Sequence, residues 1–333
     1  MSRSPGTDAD VGGVAKRMCD ELRGFALALV SDDAPVSAAL LTQLAEDIAT
    51  RGDVGRLLLG HPDSQRALFG LRALAGLHQL VLAGQAPQLS AEIASALRSG
   101  PMRAEIDAIR LWLTARDVFL RHPDAMSAAL GRPVQQHHPA RAGALLRGLS
   151  MLPLARVRLL EIGACAGLNL LLDHYHWRGT GWEWGPSASP LSLTADGPHP
   201  GELEIVERAG CDLAPRDPGD PADALILRSF LPVEHTEDLR RLEAAIAVAA
   251  LIRPRVDQAD AAPWLAKYLA EPAEGGVLTV VWHSLVWHYL TPDHRSAVEA
   301  VLRDAARSGP VVRIAYEPST WGAPVRLQVI TYP

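Results

Sequence analysis

The sequence predicts an α/β protein with an all-helical N-terminal domain, residues 1–152, and an α/β domain, residues 153–333, built on a mostly parallel sheet. The chain has 333 residues, of which 48% are hydrophobic and 21% charged. This is the composition of a globular protein long enough for two domains. Before Pro153, apolar residues recur at helical spacing and β-branched runs are absent. After Pro153, short β-type runs alternate with helical stretches.

The N-terminal domain is predicted to consist of helices separated by breaks that contain proline or glycine. Its first helix follows the apolar spacing from Val14 to Leu27. Further helices are predicted at residues 38–48, 66–81, 91–97, 106–120 and 140–152. The breaks His61-Pro62 and Ser99-Gly100-Pro101 separate them because proline does not continue a helix.

The C-terminal domain is predicted to alternate strands and helices. The strands are residues 157–162, 203–206 with an extension to 213 left open, 256–257, 277–283, 311–317 and 325–331. The helices are residues 168–175, 236–250, 262–270 and 292–308. No helix separates the last two strands, so we expect them to pair as an antiparallel hairpin at the end of the sheet.

Charge, cysteine usage and hydropathy limit the partners and the compartment. The chain carries 32 basic and 38 acidic residues, a net charge of −6, which provides no positive field for a nucleic acid backbone. Its three cysteines, Cys19, Cys165 and Cys211, form neither a metal knuckle nor a disulfide framework. The apolar runs are far shorter than the roughly 20 residues that span a bilayer. We therefore expect a cytoplasmic protein with neither nucleic acid nor a membrane as partner.

The most informative segment is a turn of small residues after the first predicted strand, Glu161-Ile162-Gly163-Ala164-Cys165-Ala166-Gly167-Leu168-Asn169. Such a turn lets the backbone approach a ligand while the N–H groups of the next helix point at it. The spacing departs from the Gly-x-Gly-x-x-Gly of dinucleotide-binding folds. It matches a nucleophile elbow with Cys165 as nucleophile, followed by Asp257 or Asp260 and by His283 or His288. It also matches a nucleoside-binding turn preceded by an acidic residue, Glu161.

Polar residues also end the other predicted strands. Asp212, after the second strand, is suited to accept ribose hydroxyls, and Asp260, after the third, to take an adenine amino group. His283 and Ser284 end the fourth strand. Because the carboxyl ends of parallel strands meet at one edge, we expect a ligand crevice there. The structural alternatives stay open, since Asp is common at turns and caps and His283 is equally suited to a hydrogen-bonded structural role.

Residues 155–333 resemble class I S-adenosylmethionine-dependent methyltransferases in the run from Glu161 to Asn169, the Gly210-Cys211-Asp212 turn, Asp260-Ala261 and the closing hairpin. The runs at 160–170, 208–213 and 281–287 more narrowly resemble the bacterial family called domain of unknown function 2332 (DUF2332). The resemblance implies a Rossmann-like methyltransferase sheet that binds S-adenosylmethionine. The residues that would hold this cofactor are Glu161, Gly163, Ala164, Cys165, Gly167, Asn169, Asp212, Leu213, Asp260, Ala261 and His283.

The chain departs from that family ahead of the sheet, where the family tends to show an Asn-Glu pair shortly before an Arg. Here the run is Gln135-Gln136-His137-His138-Pro139-Ala140-Arg141. If the helical half covers the acceptor, His137 and His138 mark altered substrate chemistry. The residues expected on the substrate side are His137, His138, Arg141, Trp182, Trp184 and Trp287. The Trp182–Trp184 loop is equally suited to fill the space between two domains.

The resulting hypothesis is an S-adenosylmethionine-dependent methyltransferase that acts on a small-molecule acceptor. His283 is the candidate base, supported by Ser284 or Tyr289. His283 and His288 do not share a helix face, so no metal is expected. The alternatives are a hydrolase with Cys165 as nucleophile and a non-catalytic sensor or scaffold that keeps the nucleoside fold. The acceptor is not specified, and a homodimer is left open.

Overall fold

A six-stranded sheet organises the C-terminal half of the chain. The computed structural model describes residues 6–99, 104–153, 155–320 and 323–332. The described strands are β1 Arg156–Ile162, β2 His176–Gly179, β3 Trp182–Trp184, β4 Ser192–Thr194, β5 Glu204–Asp212, β6 Val256–Gln258, β7 Val277–Ser284, β8 Val311–Pro318 and β9 Val325–Thr331. The large sheet has the order β6-β5-β1-β7-β8-β9. All neighbours in it are parallel except β8 and β9, which form the predicted antiparallel pair.

Helices make up the first part of the chain and flank the sheet in the second. They are α1 Gly6–Ser31, α2 Pro35–Ala49, α3 Asp53–Leu59, α4 Phe69–Leu82, α5 Pro87–Ser99, α6 Ala104–Arg121, α7 Pro123–Gly131, α8 Ala142–Leu149, α9 Pro221–Ser229, α10 Thr236–Ile252, α11 Ala261–Leu269 and α12 Pro292–Ala306. The structure thus confirms a mixed α/β fold with a helical N-terminal region and a mostly parallel sheet. Among the helices of the described ranges, none is long and apolar enough to cross a membrane.

Several short elements were not predicted. Helices α3, α7 and α9 were missed, as was the second sheet, which has the order β3-β2-β4. Its strands are only three or four residues long, too short to show a period. Part of the predicted break 99–101 lies outside the described residues.

The chain divides into two compact units that interleave in sequence. The first contains the residues up to His137 together with Leu225–Leu239, and the second contains His138–Ala224 and the chain from Arg240 onward. In the first unit, Ser37 donates to the Glu234 carboxylate from its backbone N and its hydroxyl, both at 2.7 Å. The segment 225–239 is therefore built into the helical unit although it follows five strands of the chain.

In the second unit, β1 lies at the point where the strand order reverses. It pairs with β5 on one side and with β7 on the other. In open α/β sheets the crevice outside the carboxyl ends of the strands at such a point is the usual ligand position. The glycine turn follows β1 directly and therefore lies at this edge.

Candidate functional site

The glycine turn is held in a tight conformation by left-handed residues. Gly163, Cys165 and Gly167 have φ values of 69°, 55° and 70°, a region that glycine enters freely and cysteine rarely does. The Ala164 N–H donates to the Cys211 carbonyl at 3.0 Å, and the Gly167 N–H to the Ala164 carbonyl at 2.7 Å. The turn is thus tied to the end of β5 as well as to itself.

Asp212 fastens this turn from the end of β5. One carboxylate oxygen accepts the backbone N–H of Cys165 at 2.9 Å, and the other accepts that of Ala214 at 2.8 Å. A carboxylate oxygen has a second lone pair, so this half-buried side chain can still accept a hydrogen bond from a ligand. Asp212 therefore stabilises the turn, which is the structural role left open for it by the sequence. Its free lone pairs would also allow the predicted contact with a ribose hydroxyl.

Glu161 lies at the centre of a buried polar cluster beside the turn. It faces Trp282 across the β1–β7 register, and its Oε1 accepts the Asn169 side-chain N–H at 2.7 Å. Glu161 Oε2, Asn169 Oδ1 and Trp282 Nε1 are buried without a hydrogen-bond partner among the described residues. Burial raises the pKa of Glu161 to about 8, although Asn169 and the nearby Trp282 indole oppose the rise.

His283 is adjacent to Trp282 in β7, so its side chain lies on the opposite face of the sheet from Glu161. It is 1% exposed, and its Nδ1 lies 2.7 Å from Glu317 Oε1. Its ring stacks on Trp287 with centroids 4.8 Å apart. Burial lowers the pKa of His283 although Glu317 opposes this. A neutral ring that donates from Nδ1 leaves Nε2 as an acceptor, and this atom is buried without a partner among the described groups.

Arg141 and Tyr289 are close enough to affect each other's ionisation. Burial lowers the pKa of Arg141 to about 10, and Tyr289 and Glu317 oppose that shift. Burial raises the pKa of Tyr289, and Arg141 opposes it. The Tyr289 side chain is still 53% exposed. Arg141 ends a 3-10 turn whose first carbonyl, that of His138, accepts the Arg141 N–H at 3.0 Å.

Other predicted site residues lie in separate surroundings. Asp260 is exposed before α11, with one oxygen 3.9 Å from His294 Nε2, and Ala261 begins that helix. Leu213 is 70% exposed. Trp182 donates from its indole to the Gly197 carbonyl at 3.2 Å, and it shares strand β3 with Trp184. His137 is buried in the first compact unit.

A prediction that needs correction is the helix at 168–175. Residues Asn169–His174 form a 3-10 turn, so the segment that follows the glycine turn is not the predicted α-helix. Neighbouring side chains take its carbonyl groups. The Tyr175 hydroxyl donates to the Leu168 carbonyl at 2.6 Å, the Trp177 indole to the Leu172 carbonyl at 2.7 Å, and Arg208 to the Leu170 carbonyl at 2.9 Å.

The chain matches the model of a known protein family. A family model described as "Uncharacterized protein conserved in bacteria (DUF2332)" matches residues 19–331. The chain belongs to the DUF2332 family. No curated protein matches it significantly. The predicted family is thereby confirmed, and the description of that family assigns no reaction to it.

The Cys165 thiol of this DUF2332 protein lacks the surroundings of a nucleophile. Burial and the neighbouring Asp212 carboxylate raise its pKa, which disfavours the reactive thiolate. Two of the four residues named as partners for the hydrolase alternative, His283 and Asp257, have other hydrogen-bond partners. His283 is bound to Glu317, and Asp257 accepts from Arg255 and from the Trp264 indole at 3.0 and 2.9 Å.

Two residues of the candidate site were missed in the sequence, Glu317 and Trp282. Glu317 lies at the end of a mostly apolar strand, which is the same signal that singled out Glu161, so it could have been found in the sequence. Trp282 sits inside an apolar run. Only the register that sets it opposite Glu161 shows its indole N–H to be part of a polar cluster.

Proposed function

We propose that the protein is an S-adenosylmethionine-dependent methyltransferase that acts on a small-molecule acceptor. The observation that carries the proposal is the set of buried atoms without a partner beside the glycine turn, Glu161 Oε2, Asn169 Oδ1 and Trp282 Nε1. Two acceptors and one donor suit the ammonium and carboxylate groups of an amino acid. The methionine end of S-adenosylmethionine carries both groups.

The sheet supports the same proposal. A turn of small residues follows the central strand β1, and Asp212 ends the neighbouring strand β5. The antiparallel strand β9 closes the sheet next to β8, as expected from the resemblance to class I methyltransferases. In this arrangement Glu161 and Asn169 would bind the ammonium group, and Asp212 would accept from a ribose hydroxyl.

The proposed chemistry asks little of the side chains. The cofactor supplies an activated methyl group, so the protein has to align the acceptor and exclude water. Arg141 and Tyr289 are the candidates for this alignment, because they lie close to each other and Tyr289 is exposed. His283 remains a candidate base through Nε2. His283 lies on the face opposite Glu161, where its ring stacks on Trp287. It therefore also helps to fix the segment that carries Trp287 and Tyr289.

Calorimetric titration with S-adenosylhomocysteine tests the proposal. We expect micromolar binding, about −8 kcal/mol, and at least about tenfold weaker binding in Glu161→Gln because the ammonium loses the anionic partner proposed for it. Glu234→Gln is the matched control, since it makes the same change at a carboxylate of the first unit. Absence of binding to the wild type would contradict the proposal. Ester hydrolysis that Cys165→Ala abolishes would favour the hydrolase.

A further inference from the structure

One buried carboxylate, that of Glu317, binds two backbone groups of the segment Ser284–Leu290, here called the 284–290 loop. Glu317 Oε1 accepts three hydrogen bonds: from His283 Nδ1 at 2.7 Å, from the Val286 N–H at 2.9 Å and from the Trp287 N–H at 3.1 Å. Burial by itself raises the pKa of Glu317, but these three donors outweigh it and the pKa is lowered. Glu317 is therefore ionised at neutral pH, and its bonds to the loop are charge-assisted.

The loop lies against the glycine turn through Val286. A Cβ atom added to Gly163 would lie 2.3 Å from Val286 Cγ2, so the valine occupies the space next to the Gly163 Cα. A ligand that packs on this side of Gly163 has to displace Val286. The loop also contains Leu285 in a left-handed conformation, φ 54°, with its N–H bonded to the Tyr316 carbonyl at 3.2 Å.

Further contacts hold the side chain of Trp287. The Trp287 ring stacks on His283 and is covered by the Arg313 guanidinium, 4.5 Å from its centroid. Arg313 in turn forms an ion pair with Glu299 of α12 at 2.7 Å. These contacts fix the Trp287 ring, whereas Glu317 binds the backbone N–H groups of residues 286 and 287.

We infer that Glu317 is a positioning residue that holds the 284–290 loop closed over the glycine turn, and that the loop opens to admit the ligand. The identity of the ligand, S-adenosylmethionine, rests on the proposed function. The closed loop rests on the contacts of Glu317 and Val286 alone. Glu317 does not contact the ligand in this account. It acts through Val286, which covers Gly163, and through Trp287 and Tyr289, which lie on the same loop.

Hydrogen exchange of the ligand-free protein tests the closed loop. We expect the amides of residues 286 and 287 to exchange at least about tenfold faster in Glu317→Ala than in the wild type, because their acceptor is lost. Glu317→Gln keeps the shape and a neutral acceptor, so it should give an intermediate rate, and it replaces the alanine variant if that one does not fold. Glu299→Gln is the matched control, since it removes a carboxylate from the same network without touching either amide. Unchanged exchange in both Glu317 variants would overturn the inference.

Stopped-flow binding of S-adenosylhomocysteine tests the opening step. In the wild type the observed rate should reach a plateau set by loop opening as ligand concentration rises. Val286→Gly removes the side chain over Gly163 and keeps the Glu317 bonds, so it should raise that plateau several-fold without faster exchange at residue 287. A rate that rises linearly with concentration in both proteins would overturn the opening step. If the wild type binds no S-adenosylhomocysteine, the proposed function fails, and the exchange experiment alone decides the role of Glu317.

Discussion

At the scale of single residues, Glu161 shows how a binding site is maintained at a cost to stability. The residue is 2% exposed, and its carboxyl group accepts a hydrogen bond from Asn169. A buried carboxylate with so few donors is disfavoured, so the group takes up a proton at neutral pH, and its pKa is raised to about 8. A cationic ligand would restore the charged form, which couples binding to proton release.

The raised pKa of Glu161 predicts a pH-dependent effect of Glu161→Gln on stability. The folded protein holds this proton up to about pH 8, whereas the unfolded chain releases it near the ordinary value of 4.5. Wild-type stability should therefore fall as pH rises from 4.5 to 8, and glutamine, which resembles the protonated acid, should avoid this loss. We expect the variant to gain roughly 3 to 5 kcal/mol over the wild type at pH 9 and little at pH 4.5.

Urea unfolding of both proteins at several pH values measures this difference. Glu234→Gln, the same exchange in the first unit, should show no such increase with pH. An equal stability of wild type and Glu161→Gln at pH 9 would mean that Glu161 is not buried as the structure has it.

The lowered pKa of His78 in α4 predicts a pH dependence of stability with the opposite sign to that of Glu161. It is buried, with Nδ1 2.9 Å from the Leu231 carbonyl, and burial lowers its pKa to about 4. Because the unfolded histidine titrates near 6.5, this group contributes stability that is present above pH 6.5 and lost as pH falls through 4, about 3 kcal/mol in all. His78→Gln, which keeps a donor and cannot ionise, should lose less stability between pH 7 and 4. Thermal unfolding of the wild type and of His78→Gln at pH 7 and pH 4 measures this difference. His294→Gln is the control because the His294 side chain is exposed. If both variants lose the same stability on acidification, the prediction for His78 is contradicted.

At the scale of elements, the glycine turn combines an unusual backbone conformation with a close contact. Gly163→Ala places a Cβ atom at positive φ and against Val286, whereas Gly181→Ala meets only open space at φ 79°. We expect a loss of about 1 kcal/mol for Gly181→Ala, the cost of the left-handed conformation. For Gly163→Ala the loss should be roughly 2 to 4 kcal/mol, because the clash adds to it.

Chemical denaturation of the two alanine variants separates the conformational cost from the clash. Adding Val286→Gly to Gly163→Ala should recover most of the difference. If the two alanine variants lose the same stability, Val286 does not press on the turn.

The elements also show what can be predicted from the sequence and why. Strands β1, β7 and β8 were predicted because each is a largely buried apolar run, and the antiparallel end followed from the missing helix between β8 and β9. The helix expected at 168–175 was wrong because side chains that follow the segment, Trp177 and the more distant Arg208, bind its carbonyl groups. The pairing of Glu161 with Trp282 depends on the strand register, and that of His283 with Glu317 on the approach of β7 to β8. Neither is visible in a local pattern.

At the scale of the whole molecule, the chain leaves the helical unit and returns to it. Phe230 is 2% exposed and packs with Leu71 and Ala75 of α4, although some 155 positions of sequence separate it from Ala75. The first unit therefore depends on residues that a division of the chain at 152 would assign to the sheet domain. The predicted boundaries at 152 and 153 stay a prediction.

Phe230→Ala should destabilise the helical unit by about 3 to 5 kcal/mol through the cavity it leaves. Hydrogen exchange should show the loss of protection in α4, and much less in β1 and β7 of the sheet. Leu213→Ala is the control, since its side chain is 70% exposed. Equal loss of protection in α4 and β1 would contradict the assignment of residues 225–239 to the first unit.

The central claim is that a buried, protonated Glu161 beside the glycine turn binds the cationic end of S-adenosylmethionine. Titration calorimetry with S-adenosylhomocysteine at pH 7, repeated in two buffers of different ionisation enthalpy, measures binding and proton release together. The account predicts micromolar binding with release of most of one proton, and loss of that release in Glu161→Gln. Binding without proton release, or no binding to the wild type, would contradict it.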